Sequence, residues 1–142
     1  MNRDMEKYEE FEKRMKERFP KMFSQPYGGF AVGPGWWPIL ESLCTNIQHY
    51  SDWKEKQGNF IPQVTVEQIK EKFGGLRFYY IGGDDVVDGM VRMAESWASH
   101  TCEECGVPGQ SRGGGWIKTL CDGHDAERQT HYRERFKNND QS

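Results

Sequence analysis

At 142 residues the chain is long enough for one domain carrying a small appended module. Hydrophobic residues make up only 35% but aromatics 13%, so a core must be built from large rings rather than many aliphatic side chains, and disorder across the middle of the chain is disfavoured. A net charge of −3 argues against non-specific coating of nucleic acid. No apolar run is long enough to span a bilayer, and the polar start Met1–Glu6 lacks the apolar segment of a secretory leader. The expectation is a cytoplasmic protein whose thiols stay reduced.

Residues 4–19 place Tyr8, Phe11, Met15 and Phe19 three or four apart among Glu, Lys and Arg, which predicts a charged helix with one apolar stripe. Glu9–Lys13 and Glu12–Lys16 have the spacing of supporting ion pairs, and Pro20 ends the helix. The Gly/Pro-rich stretch 24–35 reads as a loop. A second helix follows, with Trp36, Leu40, Leu43, Ile47 and Tyr50 on one face and Pro38 in its first turn. Cys44 beside that stripe reads as a small core residue rather than a nucleophile.

Residues 54–62 read as a polar loop and 63–81 as strands. Gly74-Gly75 as a two-residue turn pairs Phe73 with Leu76, Glu71 with Phe78 and Ile69 with Tyr80. Alternation then separates an apolar face from one bearing Lys70, Lys72, Arg77 and Tyr79. After Gly82-Gly83, Asp84 or Asp85 caps a third helix whose predicted buried stripe is Val87, Met90, Ala94 and Trp97. That helix leads almost directly into Thr101-Cys102, and the tail 138–142 reads as frayed.

Cys102-Glu103-Glu104-Cys105-Gly106, fifteen further residues, and Cys121-Asp122-Gly123-His124 form C-x2-C-x15-C-x2-H. Two intervening residues let each pair reach one tetrahedral ion, and Gly106 lets the chain fold back beneath it. The pattern predicts a structural zinc ion held by Cys102, Cys105, Cys121 and His124, with His131 and His100 as rivals for the fourth position. Disulfides are the competing use of the thiols and fit a reducing compartment poorly. A knuckle, a hairpin and a helix carrying the second pair make a treble-clef-like module over 101–137, packed on an α+β core over 1–100. Four protein ligands leave no open position for a catalytic ion.

Other segments carry two readings each. Gly33-Pro34-Gly35-Trp36-Trp37-Pro38 is either a structural loop with packed tryptophans or the wall of a ligand pocket, with Trp36 and Trp37 as candidate contact residues. The Lys70, Lys72, Arg77 and Tyr79 face is either a solvated sheet surface or a grip for a phosphate backbone or an acidic protein. Across 102–137 six basic residues balance six acidic ones, which argues against a groove-reading finger, although Arg128, Arg133 and Arg135 form a local stripe. Signatures of zinc proteases and serine hydrolases are absent from the sequence.

Gly35-Trp36-Trp37-Pro38-Ile39-Leu40, Ile69–Tyr79, Thr101–Gly106 and Gly115–Cys121, in this order, resemble a group of small proteins encoded by phages and by prophage-bearing bacteria. The resemblance implies an accessory protein acting in the host cytoplasm by binding a host or defence protein. The expected fold is α+β, with helices packed on a small antiparallel sheet and a C-terminal treble-clef-like zinc module. The expected function is non-enzymatic protein binding. Nucleic-acid binding through the basic hairpin face and a small-ligand pocket near Gly33–Trp37 are the alternatives.

Overall fold

The computed structural model describes residues 3–140, with side chains described from 5 to 137. The elements run α1 (Arg3–Arg18), β1 (Phe30–Ala31), a single 3-10 turn (Pro34–Trp36), α2 (Trp37–Lys56), β2 (Thr65–Lys72), β3 (Gly75–Ile81), α3 (Asp85–Ala98), β4 (Gln110–Arg112), β5 (Lys118–Leu120) and α4 (Asp122–Asp140). The described residues form an α+β fold with four α-helices and two small sheets. Among the described residues no helix is long and apolar enough to cross a membrane.

The first sheet has the order β1-β2-β3; β2 and β3 are antiparallel, and β1 joins β2 in parallel. Phe30, Ile69 and Phe78 stand side by side across its three strands, all buried. Their face packs against the stripes of α1 (Phe11, Met15) and α2 (Ile39, Leu40, Ile47). Phe11 joins these layers: its ring stacks on Trp37 at 4.6 Å and meets Phe30 edge-on at 4.9 Å. Each fully buried ring or branched side chain contributes about 1.5–3 kcal/mol, so few aliphatics suffice. Cys44 is buried in this core, and desolvation pushes its thiol far above the ordinary range, which leaves it inert.

Four details depart from the sequence reading. The hairpin turns on Phe73-Gly74, both at positive φ (52° and 80°), so Glu71 opposes Leu76 and Ile69 opposes Phe78. The slip leaves each residue on its predicted face, because the pairing moves by an even number of positions; only Phe73 leaves the apolar face for solvent. One bond within the hairpin and one from outside it hold this turn. The Gly74 N–H donates to Glu71 Oε2 at 2.9 Å, and the Gly74 carbonyl accepts from Thr119 Oγ1 at 2.6 Å.

In α3 the buried stripe is Val87, Val91, Ala94 and Ala98 rather than one running through Met90 and Trp97. Val87, Val91, Ala94 and Ala98 carry the packing of α3 into the core; Met90 is half-buried against it, and Trp97 is left half-exposed at the edge of the groove between α2 and α3. β1 is formed by two residues of the predicted loop. At the C-terminus α4 continues through Asp140, where fraying from Asn138 was expected; residues 141–142 lie outside the described part.

Candidate metal centre

The knuckle after α3 is shaped by its own backbone. Cys102 N donates to Val107 O at 2.7 Å and Gly106 N to Cys102 O at 2.9 Å, with Gly106 at φ 84°, a conformation glycine adopts without strain. These bonds turn both knuckle thiols to one side. The second pair brackets the start of α4, Cys121 just before it and His124 on its first turn, where Asp125 N donates to Cys121 O at 2.9 Å and His124 N reaches Cys121 Sγ at 3.4 Å. Arg112 ties hairpin to helix: its guanidinium donates to the Leu120 carbonyl at 3.2 Å and to Asp122 Oδ1 at 2.7 Å.

Cys102, Cys105, Cys121 and His124 each aim one ligand atom at a common point, and those atoms all lie within 4.8 Å of one another. Cys105 Sγ is 3.8 Å from Cys121 Sγ, and His124 Nδ1 is 3.6 Å from Cys102 Sγ and 3.3 Å from Cys121 Sγ. Nδ1 is therefore the nitrogen available to an ion, and Nε2 faces outward, 4.0 Å from Glu127 Oε2. His131, two turns further along α4, lines the neighbouring cleft and is not part of the group. The His124 backbone N–H, helped by its imidazole, pulls the Cys121 thiol down to about 6; Cys121 in turn raises His124. A thiolate at neutral pH beside two further thiols and an imidazole is a donor set for a soft or borderline divalent metal.

The loop 33–36 holds this module to the core. Gly35 N donates to the Glu103 carbonyl at 2.7 Å, Gly33 N to Glu103 Oε2 at 2.9 Å, and the Trp36 indole N–H to the Thr101 carbonyl at 2.9 Å. A Cβ on Gly35 would stand 2.0 Å from the Cys102 carbonyl oxygen, so only glycine permits the approach. Glu103 is buried, its carboxyl raised by desolvation against the Gly33 N–H and the Lys118 ammonium, whose Nζ lies 3.9 Å from Oε1. Nothing in the local sequence marked Glu103: a glutamate between two ligands reads as solvated until the loop that covers it is in place.

These contacts correct one candidate surface. Trp36 is wholly buried and hydrogen-bonded, and Trp37 is half-buried against Phe11, so neither is displayed to a partner. The place where a small-ligand pocket was expected is filled by the knuckle backbone. Lys70, Lys72, Arg77 and Tyr79 do share the outer face of the sheet, with Lys70 opposite Arg77 and its ammonium 5.8 Å from the Tyr79 ring centroid.

The chain matches no known family model, no curated protein and no solved structure, so its function rests on the chemistry of this site and its surroundings.

Proposed function

We propose that this protein is a non-enzymatic interaction protein whose C-terminal module is closed by a structural zinc ion. In keeping with the phage-protein resemblance, it serves as an accessory factor that binds a host or defence protein in the bacterial cytoplasm. The observation that carries the reading is the Cys3His shell anchored to the core through Glu103. A zinc ion about 2.3 Å from each sulfur places sulfurs about 3.8 Å apart in a tetrahedron, and Cys105 and Cys121 stand at 3.8 Å. Three thiolates and an imidazole fill all four positions and leave none for water or substrate, which suits a structural ion and not a catalytic one. Two measurements test it. Metal analysis of the purified chain should find one zinc per molecule, and a nuclease-treated pull-down from bacterial lysate should retain one protein in stoichiometric amount. Failure of both would sink the reading.

Nucleic-acid binding through the sheet face is the second reading, favoured by one observation. Among the described residues Lys70, Lys72 and Arg77 take part in no ion pair, while an exposed tyrosine lies beside them. Loss of the captured material on nuclease treatment would transfer the function to this face.

A further inference from the structure

The metal shell shields its three thiols unequally. Cys102 is fully buried, Cys121 is half-buried and Cys105 is exposed. The two accessible sulfurs, on Cys105 and Cys121, stand 3.8 Å apart, so a small side-chain movement joins them. Cys102 is fixed by its own backbone, its N–H donating to the Val107 carbonyl and its carbonyl accepting from Gly106 N. Cys121 instead leads into α4, the side of the shell that can yield.

α4 has no buried side chain from Asp122 to Lys137, so no packed apolar face holds it in place. Its ties to the rest of the chain are few. His124 turns Nδ1 into the ligand group. Arg112 meets Asp122 at 2.7 Å and Asp125 at 3.6 Å, both within the first turn. Further along, Arg128 Nη2 donates to the Trp116 carbonyl. Asp122 lies in solvent, where an ion pair adds little. The knuckle, by contrast, is anchored to the core through the buried Glu103 and Trp36 contacts. Among the four ligands, therefore, the pair on the α4 side depends most on the ion itself.

We infer, resting on the zinc-site reading above, that Cys105 and Cys121 form a redox latch: a hydroperoxide converts them to a disulfide, which withdraws two of the four donors and frees α4 beyond its first turn. The Cys105 thiolate attacks the peroxide and breaks its O–O bond; the sulfur becomes a sulfenic acid, and the displaced oxygen takes a proton and leaves as water or an alcohol. The Cys121 thiolate then attacks that sulfur, the S–S bond forms, and hydroxide leaves and is protonated to water. Together the two sulfurs lose two electrons and the peroxide gains them. Cys102 and His124 alone do not complete the four-coordinate shell of a structural ion. The disulfide closes the fifteen-residue loop that carries β4 and β5, so the hairpin stays beside the knuckle and a thiol reductant restores the shell. A reducing compartment keeps the latch shut until peroxide appears.

The test treats the metal-loaded full chain with a few-fold molar excess of hydrogen peroxide. Free metal is read with a chromogenic chelator, thiols by alkylation and peptide mass spectrometry, and backbone order by hydrogen exchange. Metal should be released one for one with a Cys105–Cys121 disulfide, while Cys102 and Cys44 remain open to alkylation once the chain is denatured. Amide exchange over 126–137 should rise at least about tenfold, and that of β2 and β3 should not change. Reductant with added zinc should reverse all of these. Cys44→Ser, outside the shell, should respond like wild type. Unchanged thiols, a disulfide through Cys102, sulfinic acid with no disulfide, or metal loss that leaves 126–137 protected would each overturn the inference with the zinc reading intact. A chain that purifies without metal would sink that reading and the latch with it.

Discussion

Glu103 and Gly33, seventy positions apart in the chain, are joined by a 2.9 Å hydrogen bond from the Gly33 backbone N–H to the buried carboxylate of Glu103. Two residues on, Gly35 N–H reaches the Glu103 carbonyl. One residue between two metal ligands thus receives the core loop through both its side chain and its backbone, so metal shell and core are mechanically one object. Glu103→Ala should cost about 2–3 kcal/mol by leaving a loop N–H and the nearby Lys118 without their partner. Glu103→Gln keeps an acceptor and should cost less. Chemical denaturation of the two variants distinguishes a hydrogen-bond role from a charge role.

Gly35→Ala should destabilise the fold by about 3 kcal/mol or more, since its Cβ would collide with the Cys102 carbonyl at 2.0 Å and backbone must move. The same substitution at Gly113, where nothing lies within 4 Å, should leave stability within about 0.5 kcal/mol. Thermal melting checks the contrast, and metal release should be faster only in the Gly35 variant.

Cys121→Ser should abolish stoichiometric zinc and unfold the C-terminal third, read by metal analysis and by loss of amide protection after Thr101. His124→Ala should act alike, whereas His131→Ala should keep the ion, because His131 stands outside the ligand group. Chelation of the wild type should reproduce the cysteine variant.

Phe73→Asn should stabilise the protein by about 1 kcal/mol, since asparagine tolerates a positive φ and no buried contact is lost. Thermal melting of the variant beside wild type checks the sign of the change.

Asp84 accepts from the N–H groups of Val86 and Val87 at 3.1 Å and from the Tyr50 hydroxyl at 2.6 Å. The Tyr50 bond, with the cap bonds, holds its carboxyl below the ordinary value of 3.8. A lowered folded-state value means that Asp84 contributes stability above the unfolded value and loses it as pH falls through the folded one. Asp84→Ala should therefore cost about 1 kcal/mol at neutral pH. In denaturant melts the difference from wild type should vanish as the pH drops below 3.8 toward and past the folded value.

What could be read along the chain was whatever depends on near neighbours. The ligand spacing and its hairpin-helix frame were legible because a tetrahedral ion favours donors three positions apart, with two residues between them. The α1 and α2 stripes follow from helical period, and the basic sheet face from strand alternation, which survived a two-position slip in register. The roles of Gly33, Gly35, Trp36 and Glu103 were not legible, since each is defined by a group some seventy positions away. The same holds for the turn at Phe73-Gly74, held by Thr119 of the metal module, and for the face of α3 that is buried, Val91 and Ala98 in place of Trp97. Local propensity sets periods and caps; which glycine a neighbouring backbone needs, and which carboxylate is covered, is decided only when the two parts meet.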